Sequence, residues 1–238
     1  MTTRTAETSP LVYARVAGFL YLLLLPLGIF GILYVPSTLI VPGDAAATAT
    51  KIMASEALFR LSIVTALLVQ IINIFVVLFL YKLLKPINKD MALLMALFIL
   101  LGVPIAMLSE LTHFAVLVLL SRMETLSVFT ADQLQALASF FLDLHEYGVS
   151  IASIFWGLWL FPMGYLVFKS GFLPRIIGIL LMIGCFGYVI DFLLMALLPN
   201  REVTVSQFTF IGELLLPLWL LIKGVNVEQW KNRILETA

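Results

Sequence analysis

Seven ionisable side chains stand inside or at the head of long apolar runs in this 238-residue chain: Glu110 and His113 in one run, Asp143, His145 and Glu146 at the start of the next, and Asp191 and Glu213 in two later ones. A charge in a lipid-like interior costs roughly 2.5–3.5 kcal/mol on insertion scales, so each of these groups needs a partner or a task. Gln70 and Asn73 add neutral polar groups to an earlier run. If the runs are helices, Glu110 and His113 share a face at i,i+3 spacing, as do Gln70 with Asn73 and Tyr188 with Asp191. At about 100° per residue, Asp143, Glu146, Ser150, Ser153, Gly157 and Gly164 form one small and polar stripe. His145 faces away from that stripe, on the side of Gly148, Ala152, Trp156 and Trp159.

Several chemistries are open to such a set. Glu-x-x-His with a further histidine has the ligand types of a zinc or iron site. His113 and His145 on neighbouring helices could hold a b-type haem. Asp191, Glu213 and Glu110 could exchange protons or hold a cationic or polar solute. Against all three stands packing, in which the same groups hydrogen-bond one another between helices. Two histidines and one cysteine are few soft ligands, and carboxylates crowd both histidines, so no metal and no cofactor is assigned. The ligand- or proton-binding candidates are His145, Asp191, Glu213, Glu110, His113 and Tyr188. Asp191 and Glu213 fall at similar depth on consecutive antiparallel runs, where two carboxylates could face each other and share a proton. There is no G-x-S-x-G, no Walker loop and no cysteine pair, so no catalytic residue is named and an enzyme is not favoured.

The elements that must position these residues are set by composition. Hydrophobic residues make up 62% of the chain and charged ones 12%, with a mean hydropathy of +1.11. A soluble domain carries about 45–50% apolar and 25% charged residues, so this chain reads as an all-α integral membrane bundle, one polytopic domain over residues 1–238. Six runs are long enough to cross a bilayer core of about 30 Å: residues 12–34, 58–81, 91–120, 147–168, 173–198 and 205–222. Gly102 and Pro104 give the third a physical reason to kink. The first follows a short polar stretch and is too long for a signal-peptide core. Net charge is zero, nothing points to nucleic acid, and the implied surroundings are a lipid bilayer and a small-molecule ligand. Oligomeric state is not encoded in any pattern found.

Lysine and arginine fix the threading, since positive charge is retained on the cytoplasmic side. Arg4, Arg15, Lys82, Lys85, Lys89, Lys169, Arg175, Lys223, Lys231 and Arg233 fall on one side, and Lys51, Arg60, Arg122 and Arg201 on the other. The bias puts both termini in the cytoplasm of a cell with the protein in its cytoplasmic membrane. The longer connections then lie outside and contain helical segments: Asp44 suits the N-cap of an Ala-rich stretch, and Thr130 or Asp132 can start a helix that runs into the fourth span. Most of the buried ionisable groups then fall in one layer near the outer face.

The runs VPGDAAATA, ASEALFR, LLKPINK, LHEYGVSIASIFWGLW, FPMGYLVFKSGFLPRIIGILLMIGCFGYVID and GELLLPLWLLIKGV resemble the DUF4386 family of bacterial multipass membrane proteins. The resemblance covers nearly the whole chain. It implies a bacterial cytoplasmic-membrane protein and no established activity, substrate or cofactor. His145, Asp191 and Glu213 stand within the matching motifs, whereas the family carries Asn more often where this chain has Glu110, His113 and Asp143. Function stays open between small-solute, cation or proton binding or transport at the polar cluster, a metal-dependent intramembrane enzyme acting on lipid, and a structural or regulatory role. The threading is checked with cysteines placed at Asn88 and Ser127 in a Cys185→Ala background. They are expected to be labelled from opposite sides of the membrane, and labelling of both from outside would overturn the topology.

Overall fold

The computed structural model describes residues 9–121, 126–198 and 204–237, and every regular element among them is helical. Arg4, Arg122, Arg201 and most of the connection at 199–204 lie outside the described residues. The order is α1 (Pro10–Gly28), a π-helical turn (Ile29–Tyr34), α2 (Val35–Leu39), α3 (Ala45–Ala54), α4 (Glu56–Leu84), α5 (Lys89–Ser121) and α6 (Ala131–Leu158). There follow α7 (Leu160–Ser170), α8 (Arg175–Leu197), α9 (Ser206–Thr209), α10 (Ile211–Ile222) and α11 (Val227–Thr237).

Five helical stretches are long and apolar enough to cross a membrane: Pro10–Leu39, Glu56–Leu84, Lys89–Ser121, Ala131–Ser170 and Arg175–Leu197. A sixth qualifies only when Ser206–Ile222 is taken together with Val227–Leu235, which is bent from it by 101°. The protein is therefore a multipass membrane protein. Side-chain placement on α5 argues the same way. Leu108 and Leu111 are 63% and 60% exposed while Glu110 and His113, on the same helix, are 5% and 8% exposed. Water would favour the reverse, and a lipid solvent favours this one.

Local chemistry sets the ends. Asp44 caps α3, its Oδ1 accepting from Ala47 N at 2.8 Å. Thr130 starts α6 with a reciprocal cap: Gln133 N donates to Thr130 Oγ1 at 3.3 Å and Thr130 N to Gln133 Oε1 at 2.9 Å. Gly171 closes α7 in the left-handed region at φ 76°, and Pro174 precedes α8, which makes the tight turn between them. Gly224, at φ 70°, lets the chain bend between α10 and α11, and Trp230 Nε1 then donates to Leu83 O at 2.9 Å. The helix α5 runs through Gly102 and Pro104 without a break in its assignment.

Two compact units can be described separately: residues 1–23, 72–102 and 153–238, and residues 24–71 and 103–152. The second has a core of Val35, Leu39, Ile52, Phe59, Ile63, Val116, Leu120 and Leu142, around which α2 to α6 are packed. In the first, α7 and α8 meet backbone to backbone. A Cβ on Gly164 would come within 2.5 Å of Gly178 O, and one on Gly178 within 2.6 Å of Gly164 O. Small residues at such a crossing are how membrane helices gain dispersion contacts. Gly178→Val is expected to cost about 1–3 kcal/mol and lower the melting temperature in detergent. Gly28→Ala, whose added methyl meets nothing within 4 Å, is expected to change stability by under about 1 kcal/mol. Equal melting of the two variants would overturn the close crossing.

Candidate functional site

The helices α5 and α6 approach closely at Gly148, where an added Cβ would collide with Ser109 Oγ. About one turn earlier on α6, His145 reaches the polar face of α5, and its Nδ1 lies 3.1 Å from the Ser109 carbonyl oxygen. A carbonyl only accepts, so the hydrogen bond assigns the proton to Nδ1 and leaves the lone pair of the neutral ring on Nε2. That Nε2 stands 3.7 Å from Glu110 Oε1. On the other side of the carboxylate, His113 Nδ1 lies 3.0 Å from Oε2. The two imidazoles stack with centroids 3.5 Å apart and planes 22° from parallel, and Phe59 meets His113 edge-on at 5.1 Å.

Ligand-type atoms of Glu110, His113 and His145 thus all lie within 4.8 Å of one another. Among the described residues, the ion-pairing neighbours of Glu110 are these two histidines and no lysine or arginine. The stacked rings leave no slot for a haem plane between the imidazoles. Asp143 and Glu146 are exposed on the opposite side of α6, as helical spacing requires once His145 turns inward.

The remaining candidates belong to the other unit. Glu213, in the first turn of α10, receives Tyr21 Oη at 3.2 Å on Oε2, with the Tyr188 hydroxyl beside it. Its Oε1 is closed off and has no hydrogen-bond partner among the described residues. Trp159 packs its ring 5.6 Å from that of Tyr21. Asp191 does a different job. Its Oδ1 accepts from Val205 N at 2.6 Å and its Oδ2 from Ser206 N at 3.0 Å, so it holds the entry to α9. Each carboxylate has its own donors, and a proton shared between Asp191 and Glu213 is not needed to account for either.

Sequence spacing found Glu110 with His113, because the pair lies on one helix; it also put Tyr188 and Asp191 on one face, where Asp191 bonds the backbone of Val205 and Ser206. The residue types allowed His145 to join Glu110 and His113 in one ligand set but could not show that they meet, and nothing connected Tyr21 to Glu213, because those contacts join different helices. The one signal for Tyr21 was a polar tip in the middle of an apolar run. The roles of Ser109 and Phe59 had no signal, the first being a backbone carbonyl and the second one phenylalanine among eighteen.

The phenol on Glu213 is open to test. Leaving a buried hydrogen-bonding group without its partner costs about 1–3 kcal/mol, so Tyr21→Phe is expected to lower stability by an amount in that range. In a Glu213→Ala background the same change is expected to cost less, because the partner is already gone. Strictly additive losses would show that the two side chains are not coupled.

Residues 16–224 match the family model described as Domain of unknown function (DUF4386). A relative described as an uncharacterized protein of Archaeoglobus fulgidus is 34% identical over 170 residues, which is 71% of this chain and 86% of that one. No solved structure matches the chain. Both polar clusters fall within the matched residues. The match covers most of the sequence, and the chain belongs to the DUF4386 family, whose molecular function is unknown.

Proposed function

We propose that this protein binds a cation within the membrane at Glu110, His113 and His145. The observation that carries the reading is the convergence of their three ligand-type atoms within 4.8 Å, on two helices and largely out of contact with solvent. A buried carboxylate is stabilised when an opposite charge stands beside it, and among the described residues no lysine or arginine does so for Glu110. A bound cation would supply that charge. The protein is placed in the cytoplasmic membrane with both termini inside, a reading supported by the lysines and arginines that cluster at the short turns after α4 and α7. Its surroundings are lipid, and its ligand is small.

Thermal unfolding in detergent with a panel of monovalent, divalent and small organic cations tests the reading. At least one cation is expected to stabilise the wild type and not Glu110→Gln. At a concentration of about 100 times Kd the stabilisation should be about 2.7 kcal/mol. If no cation distinguishes the two proteins, the site binds none.

A further inference from the structure

We propose that the cation is a divalent metal ion of the zinc class, held by Glu110 Oε1, His145 Nε2 and a ring nitrogen of His113. This rests on the cation-binding reading of the same site and names its ligand. With two histidines and one cysteine as its few soft ligands, the sequence by itself assigned no metal, and the convergence of both histidines on Glu110 is what changes that assignment.

The donor set selects the ion. Two imidazole nitrogens and one carboxylate oxygen suit zinc and its borderline neighbours, whereas calcium and magnesium take about six or more oxygens. Spacing selects it further. Zinc bonds of about 2.0–2.2 Å place tetrahedral ligands about 3.3 Å apart. His145 Nε2 and Glu110 Oε1 stand 3.7 Å apart, and ligand-type atoms of all three residues lie within 4.8 Å of one another, so a small closing movement reaches that spacing. A cation of several atoms does not fit between donors this close.

The surroundings of His145 are those of a metal ligand. Metal-binding histidines commonly donate their second ring N–H to a carbonyl or carboxylate, which fixes the tautomer and aims the ligating nitrogen. The Ser109 carbonyl does this through Nδ1 and turns the Nε2 lone pair toward Glu110. Without a cation, that lone pair faces a carboxylate oxygen beyond hydrogen-bond length, an arrangement that gains nothing by itself. Phe59 walls the His113 side with an apolar edge.

Binding asks for one local change. Parallel stacked rings cannot both aim in-plane lone pairs at one ion, so the His113 ring must turn out of its stack on His145. If Nδ1 is the ligating atom, the neutral ring carries its proton on Nε2 instead, so binding goes with a change of tautomer and no net loss of a proton. Three protein ligands leave a fourth position open, as in exchangeable or catalytic sites and unlike closed structural ones.

The test uses full-length protein in detergent, freed of any histidine tag, stripped with chelator, incubated with zinc and separated from free metal. Wild type is expected to retain one zinc per chain, and Glu110→Gln and His145→Ala to retain far less. Glu213→Gln, outside the site, should bind like wild type. Cobalt added to the wild type should give the visible absorption of a four-coordinate nitrogen and oxygen site, a readout that does not depend on the variants folding. Zinc retained equally by wild type and both site variants would overturn the site. If the wild type binds no zinc or cobalt while another cation stabilises it through Glu110, the metal assignment falls and the cation reading stands. If no cation acts through Glu110, both fall.

Discussion

Inside a bilayer there is no water to complete the hydrogen bonding of a polar side chain, so every such group must find its partner in the protein. This constraint orders the molecule. It turns α5 inside out relative to a soluble helix, with leucines outward and Glu110 and His113 inward. It explains why polar groups gather where helices face one another, and why a glycine, Gly148, admits the close approach beside Ser109. With lipid as apolar as leucine, the helices gain little by hiding leucine from it, and close backbone contact and polar pairing hold them together instead.

The buried carboxylates meet the constraint in unequal ways. Asp191 spends both oxygens on backbone amides at the entry to α9, a complete and local solution. Glu213 has two phenols and one oxygen left over. Glu110 has two imidazoles, one of which is aimed by a backbone carbonyl so that its lone pair, not a proton, points at the acid. The first arrangement is architecture. The third brings ligand-type atoms of three side chains together from two helices, which local capping does not require.

Much of this was legible in the sequence. The apolar runs gave the helices, Asp44 and Thr130 announced helix starts that the structure contains, and i,i+3 spacing paired Glu110 with His113. The last run, 205–222, was harder, because a break at Phe210 divides it, and the stretch qualifies as a span only together with Val227–Leu235 beyond the bend at Gly224. Contacts between helices were the real blind spot. Periodicity assigns a face to each residue but not the neighbour that the face meets, so His145 could be set beside Glu110 only as one ligand set among several readings, and Tyr21 could not be paired with Glu213. The depth argument that set Asp191 against Glu213 failed to anticipate that backbone amides at Val205 and Ser206 would engage Asp191.

The π-helical turn at Ile29–Tyr34 sits where Gly31 lies against Thr65 Oγ1 and Ser62 O, at 3.0 and 3.4 Å from an ideal Cβ position. Such a turn holds one residue more than the α-helix around it, and one residue is about 100° of helical phase. The inserted residue therefore acts as a crankshaft offset: it decides that Val35 and Leu39, rather than their neighbours, enter the core with Ile52 and Phe59. A chain shortened by one residue there could keep its length of helix and its hydropathy profile, yet would present the wrong side of α2 to that core. Two sequences indistinguishable by composition could thus differ in whether this part of the bundle assembles.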